Sequence, residues 1–211
     1  MKFNKILTDW DRDILNPVIQ SMWNICPDMM GRKIPGANVQ QAFVLNQIRL
    51  LLNQKEDSKI ISIGCFEDTA YETLKRQGIR VVGVDPELSY DLHTYVVINE
   101  QKLPTYDIAF ATSVLEHVKN DVQFLEDMCL LLNPGGVGIL TMDFKDDYKL
   151  GDPLPATDLR FYTRQDLEVG FTYIIEKMGC KLVDKPDWTG KDNFIYQGHQ
   201  YSFATFVFRK A

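Results

Sequence analysis

The segment that most limits what this chain can become is residues 60–91, IISIGCFEDTAYETLKRQGIRVVGVDPELSYD. One apolar run stops at Gly64, a short polar loop leads into a helix-forming stretch, and a second apolar run stops at Asp85. Strand, loop, helix and strand in that order make a βαβ unit, whose two strands run parallel because the helix carries the chain back across the sheet. Asp85 follows Gly64 by 21 residues. That is close to the ~20-residue offset at which an acid ending the second strand meets the hydroxyls of a ribose. The unit predicts a nucleotide-binding half.

Its loop, Gly64-Cys65-Phe66-Glu67-Asp68, is acidic and poor in glycine. Phosphate-binding loops use glycines to bring backbone N–H groups around a pyrophosphate at a helix N-terminus. Two carboxylates at that mouth would each repel a pyrophosphate by about 1 kcal/mol in wet surroundings. A nucleoside without phosphates meets no such penalty, and one carrying an ammonium gains.

Later landmarks extend the pattern: VVGVDPE ending at Asp85, LPTYDIAFATSVLEHV, LLLNPGGVGILTMDF and RFYTRQDLEVGFTYIIEKMGC. In order and spacing they resemble the class I S-adenosylmethionine-dependent methyltransferases over roughly residues 40–211. The first-strand signature of that family, an acid and then Gly-x-Gly-x-Gly, falls on Ser62, Gly64, Phe66 and Asp68, so only Gly64 matches. The resemblance implies S-adenosylmethionine as cofactor, with Gly64, Cys65, Phe66, Glu67, Asp85, Pro86, Thr112 and Ser113 in its site. It also implies that Asn99 reads the adenine amino group in place of an acid. Asp85 before Pro86 is equally a turn-forming residue, and Glu67 and Asp68 either hold the ligand's ammonium or favour the positive helix end.

The remaining chain predicts a Rossmann-like α/β fold with a seven-stranded, mostly parallel sheet. A C-terminal antiparallel hairpin would join a strand near 181–184 to the apolar last twelve residues, QYSFATFVFRKA. Residues 1–37, with Trp10, Trp23, Pro17, Pro27 and Pro35, are too apolar for a free tail and too interrupted for one long helix. They read as a helical cap over the cleft, and residues 38–211 as the core of the same single domain. Thr69–Glu72 and Ser113–Glu116 both have the spacing of a capping box, in which hydroxyl and carboxylate satisfy backbone donors reciprocally. Gly78 fits the left-handed residue that ends a helix.

Methyl transfer to an alcohol needs in-line geometry and a base near the attacking oxygen. His117 and Asp143 are the candidate catalytic residues, with His199 a third; Tyr148, Arg160, Phe161 and Tyr162 suit an acceptor pocket for a polar ring. The EDTAYETL stretch is similar to methyltransferases of bacterial glycan-assembly clusters, which points to a hydroxyl on a sugar or glycan precursor. Two rivals remain open: a binder of the same cofactor without turnover, and an NAD-dependent oxidoreductase.

A net charge of −6 disfavours nucleic acid and anionic membrane as main partners. Cys26, Cys65, Cys129 and Cys180 form no C-x-x-C pair and share no zinc spacing with histidine, so neither a metal nor a disulfide frame is expected. The N-terminus has no signal-peptide core, and a reducing cytoplasm is the expected compartment. Oligomeric state has no signature here.

Overall fold

The computed structural model describes residues 2–211. Among them the elements are β1 (Ile6–Leu7), α1 (Asp9–Ile25), α2 (Pro27–Met30), α3 (Asn38–Leu52), β2 (Ile60–Ile63), α4 (Thr69–Arg76), β3 (Val81–Val84), α5 (Leu92–Asn99), β4 (Tyr106–Thr112), α6 (Asp121–Leu131), β5 (Leu132–Phe144), α7 (Thr172–Lys177), β6 (Cys180–Leu182), β7 (Phe194–Tyr196) and β8 (His199–Lys210). The sheet runs β1-β8-β5-β4-β2-β3, with β6 and β7 also on β8. The pairs β2·β3, β2·β4 and β4·β5 are parallel, in register from Ile60↔Val81, Ile60↔Ile108 and Ile108↔Val137. Every pair involving β8 is antiparallel.

Helices cover both faces of the central strands, so those strands are apolar on both sides. Along β4, Ala109 and Ala111 enter one core cluster with α5 and α6, while Ile108 and Phe110 enter the other with α3. Helix α3 is buried nearly all round because α1 lies on its outer side.

The expected seven strands are eight among the described residues, and they are distributed differently. Residues 92–102 form α5 and a 3-10 turn, leaving β3 as the sheet edge with Val82 exposed. Asp91 starts α5 by accepting from Thr94 N at 2.7 Å, and this cap places an otherwise strand-like apolar run in a helix. The C-terminal hairpin is present as β6 with β8, and β7 adds a second, tighter one through Gln197-Gly198, both at positive φ.

Residues 1–37 also depart from expectation. A strand, β1, pairs Ile6 with Ala204, and α1 continues for 17 residues through Pro17. Its start is a capping box between Thr8 and Asp11. Helix α1 packs on α3 and α4, away from the cleft mouth, and only the segment 32–37 reaches the cleft. At α4 the cap is Asp68, which accepts from Tyr71 N at 2.7 Å, and not Thr69, whose hydroxyl is buried without a partner among the described residues. After β4, Ser113–Glu116 leads into a single 3-10 turn, Leu115–His117, and not a helix. Thr163 and Asp166 form a capping box, and the turn beyond it, Asp166–Phe171, is a π-helix that passes into α7.

Candidate active site

A cleft of about 1160 Å³ opens at the carboxyl ends of β2, β3 and β4. The chain leaves β2 toward β3 on one side and returns to β4 on the other, so this is the point where an open α/β sheet parts its loops. Gly64, Phe66, Glu67, Asp68, Asp85, Pro86, Thr112, Ser113 and His117 all line it. Sequence reasoning therefore brought most of its candidates to one place.

Asp85 is buried at the end of β3. Its Oδ2 accepts from Phe66 N at 2.8 Å and its Oδ1 from Glu87 N at 2.9 Å. The second bond is the turn expected before Pro86; the first ties the acid to the loop after β2. Each carboxylate oxygen has more than one lone-pair site, so the fixed group can still accept from a pair of ligand hydroxyls. Gly64 has φ +72°, and a Cβ there would come under 3.0 Å from Val114 Cγ2. Only glycine suits both the conformation and the space.

The rest of the loop differs from expectation. Cys65 turns away from the cleft, and its buried thiol lies behind Gly83, whose absent Cβ leaves room for the sulfur. Burial and the Asp85 carboxylate push that thiol up to about 11. Glu67, at φ +58°, has its carboxylate 2.6 Å from Arg32 Nη1 and 3.7 Å from Lys33 Nζ. Asp68 is buried under the first turn of α4, where burial raises its pKa. The mouth is therefore no bare pair of carboxylates, because cations from segment 32–33 meet one of them. What disfavours a pyrophosphate here is the glycine-poor loop, with the Phe66 side chain half-exposed on the cleft wall.

Asn99 is not on that wall. It sits in the last turn of α5, where its Nδ2 donates to Tyr95 O at 2.9 Å. The first turn of the same helix supplies Leu92 and His93 instead. His93 Nδ1 is 3.0 Å from Asp127 Oδ2, and Gln123 Nε2 donates to Asp127 Oδ1 at 3.0 Å. The opposite wall was also missed. Asn38, Gln40 and Gln41, in the first turn of α3, are buried on the cleft, and the side-chain oxygens of all three lack a hydrogen-bond partner among the described residues. Gln40 Nε2 donates to Ser113 Oγ at 3.3 Å, and Ser113, at φ +55°, donates to Glu116 Oε1 at 2.6 Å. The polar start of α3, Asn38-Val39-Gln40-Gln41, is the sequence signal that points to this wall.

His117 lines the cleft, with Nδ1 3.0 Å from Thr157 O and 3.4 Å from Asp158 Oδ1. Asp143 is not on the wall: it is buried at the end of β5 among Glu116, Asp158 and Tyr201. Burial first, and then repulsion from the other acids, holds its carboxyl well above the usual range; burial likewise raises Glu116 and Asp158. His199 is off the wall too. Tyr148, Arg160, Phe161 and Tyr162 line a separate cavity of about 990 Å³. There Arg160 donates to Asp121 Oδ2 at 2.7 Å.

The cleft fits the cofactor implied by the sequence. Asp85 suits ribose hydroxyls, and the apolar side chains of Val84, Leu92 and Phe124 suit an adenine ring. Among the described residues no group of three His, Cys, Asp or Glu is placed to hold a metal ion, and no helix is long and apolar enough to cross a membrane.

Comparison with known proteins agrees. Residues 37–181 match the family described as "Methyltransferase domain". The human mitochondrial ubiquinone biosynthesis O-methyltransferase is 29% identical over a stretch covering 39% of this chain and 28% of that one. This chain spans less than half the length of the curated relatives it matches. Among solved structures, 1,6-didemethyltoxoflavin-N1-methyltransferase of Burkholderia thailandensis, with S-adenosylhomocysteine bound, superposes with TM-score 0.51 at 15% identity, over 96% of this chain and 89% of that one. The [4+2]-cyclase SpnF superposes with TM-score 0.52 at 12% identity, over 91% and 95%. At such identities the likeness is one of fold. With the family match spanning most of the chain and the cleft at the switch point of the sheet, this chain belongs to the methyltransferase-domain family, the class I S-adenosylmethionine-dependent methyltransferases.

Proposed function

We propose that the chain methylates a hydroxyl oxygen of a small polar acceptor, a sugar or glycan precursor, using S-adenosylmethionine. The observation that carries this is the polar wall opposite Asp85: Asn38, Gln40 and Gln41 with unpaired oxygens, beside Ser113 and His117. Buried acceptors without partners cost about 1–3 kcal/mol each, a cost that a donor-rich ligand removes. Oxygen as the methylated atom is in keeping with the human relative, an O-methyltransferase. That relative's name concerns ubiquinone synthesis; the wall here suits a hydroxyl-rich acceptor better than a long apolar one.

When bound, the cofactor supplies a sulfonium methyl open to attack along its carbon–sulfur bond. The residues of the chain bind, orient and take a proton. Asp85 holds ribose hydroxyls, Phe66 and the segment 32–37 shield the cleft from water, and the α3 amides orient the acceptor. His117 accepts the acceptor's hydroxyl proton. The same proposal takes residues 1–37 and the core as one domain, since β1 belongs to the sheet, and places the protein in the cytoplasm, where its four free, buried cysteines stay reduced.

Calorimetric titration with S-adenosylhomocysteine, followed by radiolabelled methyl transfer to a panel of sugars, sugar nucleotides and catechols, tests the reading. Labelled sugar supports it, labelled catechol alone moves the acceptor to a phenol, and no cofactor binding removes it. The glycine-poor loop favours one alternative, cofactor binding without methyl transfer, which tight binding with no labelled product would support. A melting temperature raised by NAD but not by S-adenosylmethionine would support the oxidoreductase.

A further inference from the structure

We propose that Asp158 is a positioning residue for His117, and that residues 157–159 form a clasp holding the imidazole with Nδ1–H inward and Nε2 toward the acceptor. The inference rests on the reading of His117 as the base, and goes beyond it in naming what orients the ring and what receives its charge.

His117 ends a single 3-10 turn, a short element with little internal rigidity. The long connection between β5 and the π-helical turn supplies what the turn lacks. Leu159 N donates to Glu116 O at 2.8 Å, which ties the connection to the residue before the histidine. Thr157 O lies 3.0 Å from His117 Nδ1, and a carbonyl only accepts, so Nδ1 carries the hydrogen. In the neutral ring Nε2 is then the bare nitrogen, the one able to take a proton. No protein partner engages Nε2 among the described residues, and the side chain is 43% exposed on the cleft side.

Asp158 adds what the carbonyl cannot. Its Oδ1 is 3.4 Å from the same Nδ1, its side chain is 5% exposed, and its Oδ2 has no partner among the described residues. When the acceptor's O–H bond breaks and the proton moves to Nε2, the ring becomes a cation with two N–H donors. A carboxylate at Nδ1 gains from that change, since a charge-assisted hydrogen bond is roughly twice as strong as a neutral one. The proton ends on Nε2 and the electron pair of the O–H bond stays on the attacking oxygen. The other groups facing this pair are Glu116 and Asp143, His199 and Tyr201. Glu116 and Asp143 are deeper, and Asp158 is the acid with an oxygen beside the imidazole.

The chain has three histidines, His93, His117 and His199, so the test is direct. In full-length protein labelled with ¹⁵N-histidine, long-range proton–nitrogen correlation reads the tautomer of each ring, with His93→Gln and His199→Gln assigning the signals. The expected result is a neutral His117 wholly in the Nδ1–H form, with Asp158→Asn giving a mixture of tautomers. With a turned-over acceptor, Asp158→Asn lowers kcat by about tenfold to a hundredfold while S-adenosylhomocysteine affinity and melting temperature hold, and Asp158→Glu restores part of the rate. An Nε2–H tautomer in the wild type overturns the proposal without any variant. So does Asp158→Asn with unchanged tautomer and rate, or a rate loss matched by loss of cofactor binding. Full turnover in His117→Gln overturns the base reading itself. A rate lost in His117→Gln but kept in Asp158→Asn overturns only the role of Asp158.

Discussion

Gly64 offers a prediction whose two parts can be separated. At φ +72° an L-residue is in the left-handed region, which costs about 1–2 kcal/mol. A Cβ there would also come under 3.0 Å from Val114 Cγ2, and forcing a methyl into a filled site costs about 1–3 kcal/mol. Gly64→Ala should therefore destabilise the protein by about 2–5 kcal/mol, read by urea unfolding. Trimming Val114 to alanine removes the methyl that would be struck and leaves the backbone cost in place. The double variant Gly64→Ala, Val114→Ala should then be more stable than the sum of the single changes by about 1–3 kcal/mol. Additivity within about 0.5 kcal/mol would refute the collision with Val114, and a fully restored stability would refute the backbone cost.

Asp85→Ala should lower affinity for S-adenosylhomocysteine about tenfold to a hundredfold by calorimetry, and also lower the melting temperature, because Phe66 N and Glu87 N lose their acceptor. Glu67→Gln should change that affinity by less than about fivefold, since Arg32 and Lys33 already engage the carboxylate in an exposed pairing; a larger loss would mean contact with the ligand's ammonium. Glu116 has its folded pKa raised above 4.5 by burial, so the folded state holds a proton that the unfolded state has released. Its contribution is most favourable below 4.5 and is lost as pH rises through the folded value. Melting curves between pH 5 and 8 should accordingly show Glu116→Gln gaining on the wild type as pH rises, and parallel curves would contradict this.

Much of the site was readable because its chemistry is local to strand ends. Gly64 and Asp85 are fixed by one βαβ unit, and both fall where spacing put them. Asn99 failed because Asp91 caps a helix that carries it a turn too far, a short-range signal outweighed by the apolar run after it. Asp143 failed for a long-range reason, being submerged by Glu116 and Asp158, and the partners of Glu67, Arg32 and Lys33, lie some 35 residues away from it. The same holds for β1, a two-residue strand with no periodicity to detect, created by its partner at Phe203–Ala204.

The outer rim of β8 is shared by three short strands: β7 at His199–Tyr201, β1 at Phe203–Ala204 and β6 at Phe208–Lys210. None is long enough to hold itself, and each arrives from a different part of the polypeptide. During synthesis, therefore, all three wait for the stretch from 199 onward to leave the ribosome, and one edge of β5 waits with them. A ribosome paused before that point holds a nascent chain whose ligand-binding strands are already made but whose longest seam is open, an obvious place for a chaperone to intervene and for aggregation to begin.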